Sequence, residues 1–318
     1  MNVLYLGNFR PPHSTENDVA ASLTSLGHSV SKYQEDDAIN DWSKFLERIR
    51  GIDLLLYTRT WGLPDHAKEV WKECDRIGIM TAAYHLDLFF GLERHELVKH
   101  DSMFRMAHVF TADGDHDKEF AEAGVNHHYL RAGVNTKECR TYVPAGKWEK
   151  YEVAFVGSSR RYHHSSWRHR SRIQQALEKN FGDKYLLIPN HGEPAVRGQM
   201  LNKLYASVPV IVGDTLSQNL EKSLYWSDRV YETLGRGGFL LFPRIEALQA
   251  ELWDVPAIDW YEFGDYEGMV EKAQHWVQRF QDNPGLRKAL TLESSAIIKE
   301  RCSYNVRVAN ALEIMGLR

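Results

Sequence analysis

Ten short, mostly apolar runs, with helical stretches between most of them, set what this 318-residue chain can fold into. Six come first, at 3–7, 29–33, 53–58, 79–85, 108–112 and 128–131, and four follow, at 151–157, 184–189, 208–213 and 238–242. Strand-length runs alternating with amphipathic stretches are the pattern of parallel sheets, because neighbouring parallel strands need a helical crossover between them. The polar passage 136–152, which contains Pro144-Ala145-Gly146, interrupts the rhythm. The two series therefore read as two α/β domains with a boundary near 145–150, as the length also suggests. From about residue 265 the chain reads as helix: 266–280, a turn at Asn283-Pro284-Gly285, then 286–302 and 304–315.

Composition narrows the class. With 43% hydrophobic and 26% charged residues the chain is an ordinary globular sequence, long enough for two cores. Its net charge of −4 gives no global attraction to nucleic acid or acidic membranes, so any such partner must be held by a local patch. The opening run 1–7 has neither a basic leader nor a long apolar core, and no later run reaches the roughly 18–20 apolar residues of a membrane span. A cytoplasmic protein without a membrane span is expected. Cys74, Cys139 and Cys302 are odd in number and far apart, which suits reduced thiols. No metal-ligand spacing is present, so no metal is expected.

Chemistry concentrates in 225–243. There Asp228-Arg229 and Glu232, three and four residues apart, share one helical face, and Gly235, Gly237 and Gly238 precede an apolar strand. An arginine for phosphate, a carboxylate for ribose hydroxyls and glycines admitting close backbone approach would suit a nucleotide-sugar. A surface helix ended by a glycine cap before a buried strand explains the same glycines without a ligand.

Asp228-Arg229-Val230-Tyr231-Glu232 followed by Gly235-Arg236-Gly237-Gly238-Phe239-Leu240-Leu241 resembles the signature of the CgeB-like (spore-maturation-protein-like) glycosyltransferases, which belong to the GT-B superfamily. The resemblance implies a GT-B fold: two Rossmann-like domains with parallel sheets facing across a cleft. It implies an acceptor domain 1–147, a donor domain 148–303 and a closing helix 304–318 crossing back onto the first domain. Val153-Ala154-Phe155-Val156-Gly157-Ser158 and the arginine-bearing stretch after it are similar to the family's donor-diphosphate turn, carrying over Gly157, Ser158 and Arg168 or Arg172. Asp214 closes the strand before the signature and would face the same crevice. The broader retaining pattern sets one glutamate eight residues before another; with Glu232 as the second, position 224 is Leu, which leaves the stereochemistry open.

Two places in the first domain could serve catalysis. Loop 7–17 follows the first strand, where open parallel sheets bind ligands, and offers His13 or Glu16. Ser14 or Thr15 capping the next helix is the plainer account of that loop. At the end of the fourth strand His85 and Asp87 alternate onto one face; this place resembles the acidic motif of related glycosyltransferases and would supply a general base. Asp87 capping a helix is the alternative.

The implied activity is transfer of a sugar from a nucleotide diphosphate, a UDP-sugar above all, to a hydroxyl acceptor, with no obligatory cofactor. The stretch 160–172 holds five arginines among Tyr162 and Trp167 and could hold DNA. Together with 197–207 it resembles phage-encoded enzymes that modify DNA bases, such as hydroxymethyl-pyrimidines, or virion proteins. The rivals are a non-catalytic nucleotide- or DNA-binding double-Rossmann protein and a sugar-nucleotide epimerase of the same architecture. Oligomeric state is not legible.

Overall fold

A computed structural model describes residues 1–90, 94–157, 168–189, 194–215 and 224–317, the Arg168 side chain excepted. The chain divides into two compact units, Met1–Ala132 with Tyr304–Arg318, and Gly133–Ser303. Residues 133–147, grouped with the first domain on sequence, lie with the second unit.

The first unit carries a parallel six-stranded sheet, β1 (Asn2–Gly7), β2 (Ser29–Gln34), β3 (Leu54–Tyr57), β4 (Met80–His85), β5 (His108–Thr111) and β6 (His127–Tyr129), in the order β2-β1-β3-β4-β5-β6. Its helices include α1 (Thr15–Ser25), α2 (Glu35–Asn40), α3 (Trp42–Arg48), α4 (Ala67–Arg76), α5 (Leu97–His100) and α6 (Asp117–Glu122). Successive side chains serve opposite faces of the sheet. Leu4, Leu6, Leu55 and Tyr57 enter one core with Trp71 and Phe104, while Val3, Tyr5, Leu54 and Leu56 enter another with Val19 and Leu23 of α1. Burial on both faces is why the central strands β1 and β3 are nearly continuously apolar, while the edge strand β2 keeps exposed Ser29, Ser31 and Lys32. Ser14 caps α1, its Oγ accepting from the Asn17 N–H at 3.2 Å.

The closing helix lies in this unit. Tyr304, Val308, Ala311, Leu312 and Met315 join the second of those cores, each no more than 7% exposed. Leu312→Ala should therefore cost about 2–3 kcal/mol, read as a lowered denaturant midpoint at unchanged slope. A cost under about 0.5 kcal/mol would show that the helix is not packed there.

The β5–β6 edge holds three histidines whose pKa values burial lowers. His108 Nδ1 and His128 Nε2 lie 2.9 Å apart, so the pair shares one hydrogen bond, and the His127 ring stacks on Phe120 at 3.8 Å. Because the folded values lie below the unfolded value, the unfolded chain binds more protons as pH falls through about 6.5, and stability is lost there. Asp113, whose carboxyl burial raises to about 6, acts in the opposite direction below that pH. It does so equally in a His108→Gln variant. The denaturant midpoint should therefore drop less between pH 7.5 and 5.5 in His108→Gln than in the parent; equal drops would remove the pair as the cause.

The second unit carries a parallel five-stranded sheet, β7 (Val153–Val156), β8 (Tyr185–Ile188), β9 (Val210–Val212), β10 (Leu240–Pro243) and β11 (Ile258–Tyr261), in the order β11-β10-β9-β7-β8. Helices α7 (Arg168–Phe181), α8 (Gly198–Ser207), α9 (Arg229–Gly235), α10 (Glu246–Glu251), α11 (Tyr266–Asp282) and α12 (Pro284–Arg301) complete it. Strand β11, Ile258-Asp259-Trp260-Tyr261, was not legible in the sequence because a carboxylate interrupts it. The fold satisfies that carboxylate: Asp259 accepts from the Trp276 indole at 2.7 Å and from Lys272 at 3.2 Å.

Candidate functional site

Each sheet reverses its direction of growth once: between β1 and β3 in the first unit, and between β7 and β9 in the second. Ligands of open parallel sheets bind outside the carboxyl ends of the strands at such reversals. The sequence candidates fall into two groups, and each group lies at strand ends of one unit.

In the second unit β7 ends at Gly157, whose N–H donates to Ile188 O at 2.7 Å. A Cβ added there would meet Phe155 at 3.0 Å and the Arg229 guanidinium carbon at 3.6 Å. Arg229 thus reaches from the first residue of α9 to the end of β7. Among the described residues its half-buried guanidinium makes no hydrogen bond or ion pair. Burial alone would lower its pKa, but the nearby carboxylates of Asp228, Asp214 and Glu232 outweigh burial and raise it, so the group is a fixed cation. With Asp214 and Gly213 it lines a small cavity of about 10 Å³ beneath the strand ends, room for no more than one water.

The carboxylates have other commitments. Asp214 is 7% exposed and binds Arg170 with two hydrogen bonds, Nε to Oδ2 at 2.5 Å and Nη2 to Oδ1 at 3.1 Å. Glu232 sits 3.4 Å from Arg236, which also reaches Glu138 at 3.1 Å and Asn202 at 2.8 Å. Burial, then the neighbouring Asp228, raises the Glu232 pKa. Asp228 stands at the N-cap of α9 and accepts from Ser227 Oγ at 2.9 Å.

Three sequence assignments change in this light. Gly237 and Gly238 are not placed for a ligand: both are buried, and they form the C-terminal cap of α9. The Gly237 N–H donates to Leu234 O at 3.3 Å and the Gly238 N–H to Thr233 O at 2.8 Å, with Gly237 at φ +83°, the paired bonds of a Schellman motif. A side chain at Gly238 would strike Thr233 at 2.8 Å. The arginine of α7 that binds Asp214 is Arg170, which lies outside the sequence's choice of Arg168 or Arg172. Ser158, the Arg168 side chain and 160–167 of the basic stretch lie outside the described residues.

In the first unit His85 ends β4 with its side chain 12% exposed, and its Nε2 lies 3.7 Å from Asp87 Oδ2. Asp87 is itself exposed and accepts from Arg94 at 2.9 Å. Burial lowers the His85 pKa, with Asp87 opposing, so the ring is neutral at pH 7. Its Nδ1 is sealed without a hydrogen-bond partner among the described residues, which leaves Nε2 as the nitrogen open to a proton. Asp113 fixes the turn that follows, accepting from the Phe89 and Phe90 N–H groups at 2.9 Å each. Among the described residues Asp87 caps no helix; the next one, α5, has Glu96 at its N-cap. His13 is exposed on the loop after β1, and among the described residues nothing hydrogen-bonds its ring. Glu16, in the first turn of α1, is buried against Gly7, and burial raises its pKa.

Among the described residues no group of three or more His, Cys, Asp or Glu could hold a metal ion, and no helix is long and apolar enough to cross a membrane. All three cysteines are buried thiols outside any disulfide.

A family model described as glycosyl transferase-like matches residues 140–313, more than half of the chain and nearly all of the second unit. The chain belongs to the glycosyl transferase-like family. No curated protein matches it in sequence. Solved structures similar to this family member include a glycosyltransferase from Rickettsia africae, 12% identical, with a TM-score of 0.63 over 98% of this chain and 97% of that one. HepE from Anabaena, solved in complex with UDP and glucose, is 10% identical, with a TM-score of 0.59 over 99% of each chain. The DNA modifying enzyme beta-glucosyltransferase, solved with and without uridine diphosphoglucose, is 10% identical, with a TM-score of 0.55 over 100% of each. At such identities the likeness is one of fold, two Rossmann-like domains of the GT-B type.

Proposed function

We propose that this glycosyl transferase-like protein moves a sugar from a UDP-sugar to a hydroxyl acceptor, with the donor on the second unit and the acceptor on the first. The observation that carries this reading is Arg229: a fixed cation without an ion pair among the described residues, at the carboxyl ends of β7 and β9. A guanidinium in that position can pair with a phosphate of a leaving diphosphate and stabilise the charge that grows as the glycosidic bond breaks. Glu232, one helical turn on, would take the ribose hydroxyls, and Gly157 with Ser158 would admit the phosphates. HepE and the beta-glucosyltransferase, both of this fold, were solved with UDP or a UDP-sugar, which supports uridine as the base.

On the first unit His85 Nε2 would accept the proton of the acceptor hydroxyl, with Asp87 stabilising the imidazolium that forms. His85→Gln should lower UDP release from the stabilising UDP-sugar by roughly a hundredfold while leaving UDP binding intact. A variant as active as the parent would place the base elsewhere.

The signature at 228–241 supports a CgeB-like subfamily within the family. A phage enzyme acting on DNA bases is the finer alternative, and charge speaks against it. The first unit has 16 Lys and Arg against 22 Asp and Glu, a net −6, whereas the second has 23 against 21, a net +2. A polyanionic acceptor would be repelled by the unit proposed to hold it, while an anionic donor is tolerated by the other.

The reading is tested by thermal unfolding with uridine, guanosine, adenosine and thymidine diphosphates and their sugars. Stabilisation by the uridine compounds, with UDP released from one of the UDP-sugars, is the expected result. No stabilisation by any of them would sink the reading, and free altered sugar-nucleotide formed without an acceptor would make the chain an epimerase.

A further inference from the structure

The loop that follows β3 is built more rigidly than a connection requires, and it holds an indole in solvent. Glu35, at the start of α2, is fully buried, and its carboxylate accepts from the Tyr57 hydroxyl at 2.5 Å and from the backbone N–H groups of Thr60 at 2.8 Å, Trp61 at 3.1 Å and Gly62 at 2.9 Å. Three consecutive amides are thereby fixed by one side chain of another element. From the other side Arg59 donates to Asp101 at 2.5 Å. Gly62 stands at φ +93°, and a Cβ there would lie 2.9 Å from Arg59 and 3.2 Å from Asp101, so the turn is closed tightly over this ion pair. At the tip Trp61 remains 47% exposed, and among the described residues its ring has no aromatic neighbour and its indole nitrogen no hydrogen bond.

The loop also lies at the place where a ligand is expected. It leaves the carboxyl end of β3, beside β1, at the reversal point of the first sheet. An exposed indole on a preorganised loop offers a flat apolar face with a polar edge, and ordering it on binding costs little entropy. A planar apolar face suits the C–H face of a pyranose and the face of a nucleobase alike. Two observations favour the sugar. The loop's own arginine is committed to Asp101, leaving no loop cation for a phosphate, and the unit's net charge of −6 opposes a polyanion.

Resting on the glycosyltransferase reading above, we propose that Trp61 is the stacking platform for a neutral saccharide acceptor. Glu35 positions that platform and does not touch the acceptor. The full chain, saturated with UDP, is probed by saturation-transfer NMR with methyl β-D-glucopyranoside, methyl β-D-galactopyranoside, methyl N-acetyl-β-D-glucosaminide and 5-hydroxymethyl-2′-deoxycytidine. One of the glycosides should receive saturation at its ring C–H protons. Its Kd should rise roughly tenfold in Trp61→Ala and stay near the parent's in Trp61→Phe. Because Trp61 is exposed, both variants should keep the parent's Tm and its stabilisation by UDP. Glycoside binding unchanged in Trp61→Ala, binding of the deoxynucleoside alone, or binding of none of the four would each overturn the proposal. UDP stabilisation in the same samples separates the two failures: where it persists the glycosyltransferase reading stands without this platform, and where it is absent that reading falls as well.

Discussion

Arg229→Ala should abolish the stabilisation that UDP gives the parent chain while lowering the Tm of the free protein only slightly. The two halves of this result have one cause. In the free protein the guanidinium is half-buried, held as a cation by surrounding carboxylates, and without an ion pair among the described residues. Because the attraction of those carboxylates outweighs burial, removing the cation loses a modest net attraction but breaks no hydrogen bond or ion pair among the described residues, so the fold loses little. With a diphosphate present the same cation gains its partner, and truncating one member of a buried, hydrogen-bonded charge pair costs about 2–5 kcal/mol, which is at least about thirtyfold in Kd. The check is a titration of Tm against UDP for both proteins. Equal slopes would remove Arg229 from the donor site, and a large fall in the Tm of the free variant would make it a structural residue.

Asp214→Ala has the opposite signature, a loss of about 3–5 kcal/mol of stability before any ligand is added. Its carboxylate and the Arg170 guanidinium are 7% and 5% exposed and share two hydrogen bonds, so removing the carboxylate takes two hydrogen bonds and a counter-charge from a buried guanidinium. The Phe155 ring, 5.7 Å from Arg170, cannot replace the lost anion. Replacing both members, as Arg170→Met with Asp214→Leu, should recover much of the loss because no charge is then left buried. Chemical unfolding of the two single variants and the double variant forms the cycle that measures this coupling. Additive losses would show that the ion pair is not what fixes the end of β9. The contrast also separates roles that proximity alone would merge: Asp214 and Arg229 line one cavity, yet only Asp214 is committed to an ion pair among the described residues.

What could be read before any coordinates follows from short-range physics. The runs mark ten of the eleven strands among the described residues: central strands such as β1 and β3 are apolar because both faces are covered, the edge strands β2 and β6 keep polar residues, and Asp259 hid the eleventh. The cap at Ser14, the break at 283–285 and the closing helix are local signals of the same kind, since a side-chain oxygen or a proline acts within one turn of its own position. Segment 225–243 was correctly read as helix, glycine turn and strand, and of its two explanations for Gly237 and Gly238 the cap is the one the backbone adopts.

The partners of each charged side chain were decided elsewhere. Sequence spacing put Asp228, Arg229 and Glu232 on one helical turn. Arg236, beside Glu232, is also held by Glu138 and Asn202, far off in the chain. Nothing near Asp214 in sequence announces Arg170, and nothing near Trp61 announces Glu35, because such pairs form only when separate elements pack and a buried charge must find a counterpart or not be buried. The sequence by itself determined the two parallel sheets and the ends of their helices, through patterns that local backbone geometry can read. The tertiary structure alone decided which charged groups pair and which loop is held by a buried carboxylate, because both are outcomes of long-range charge pairing in a low-dielectric interior.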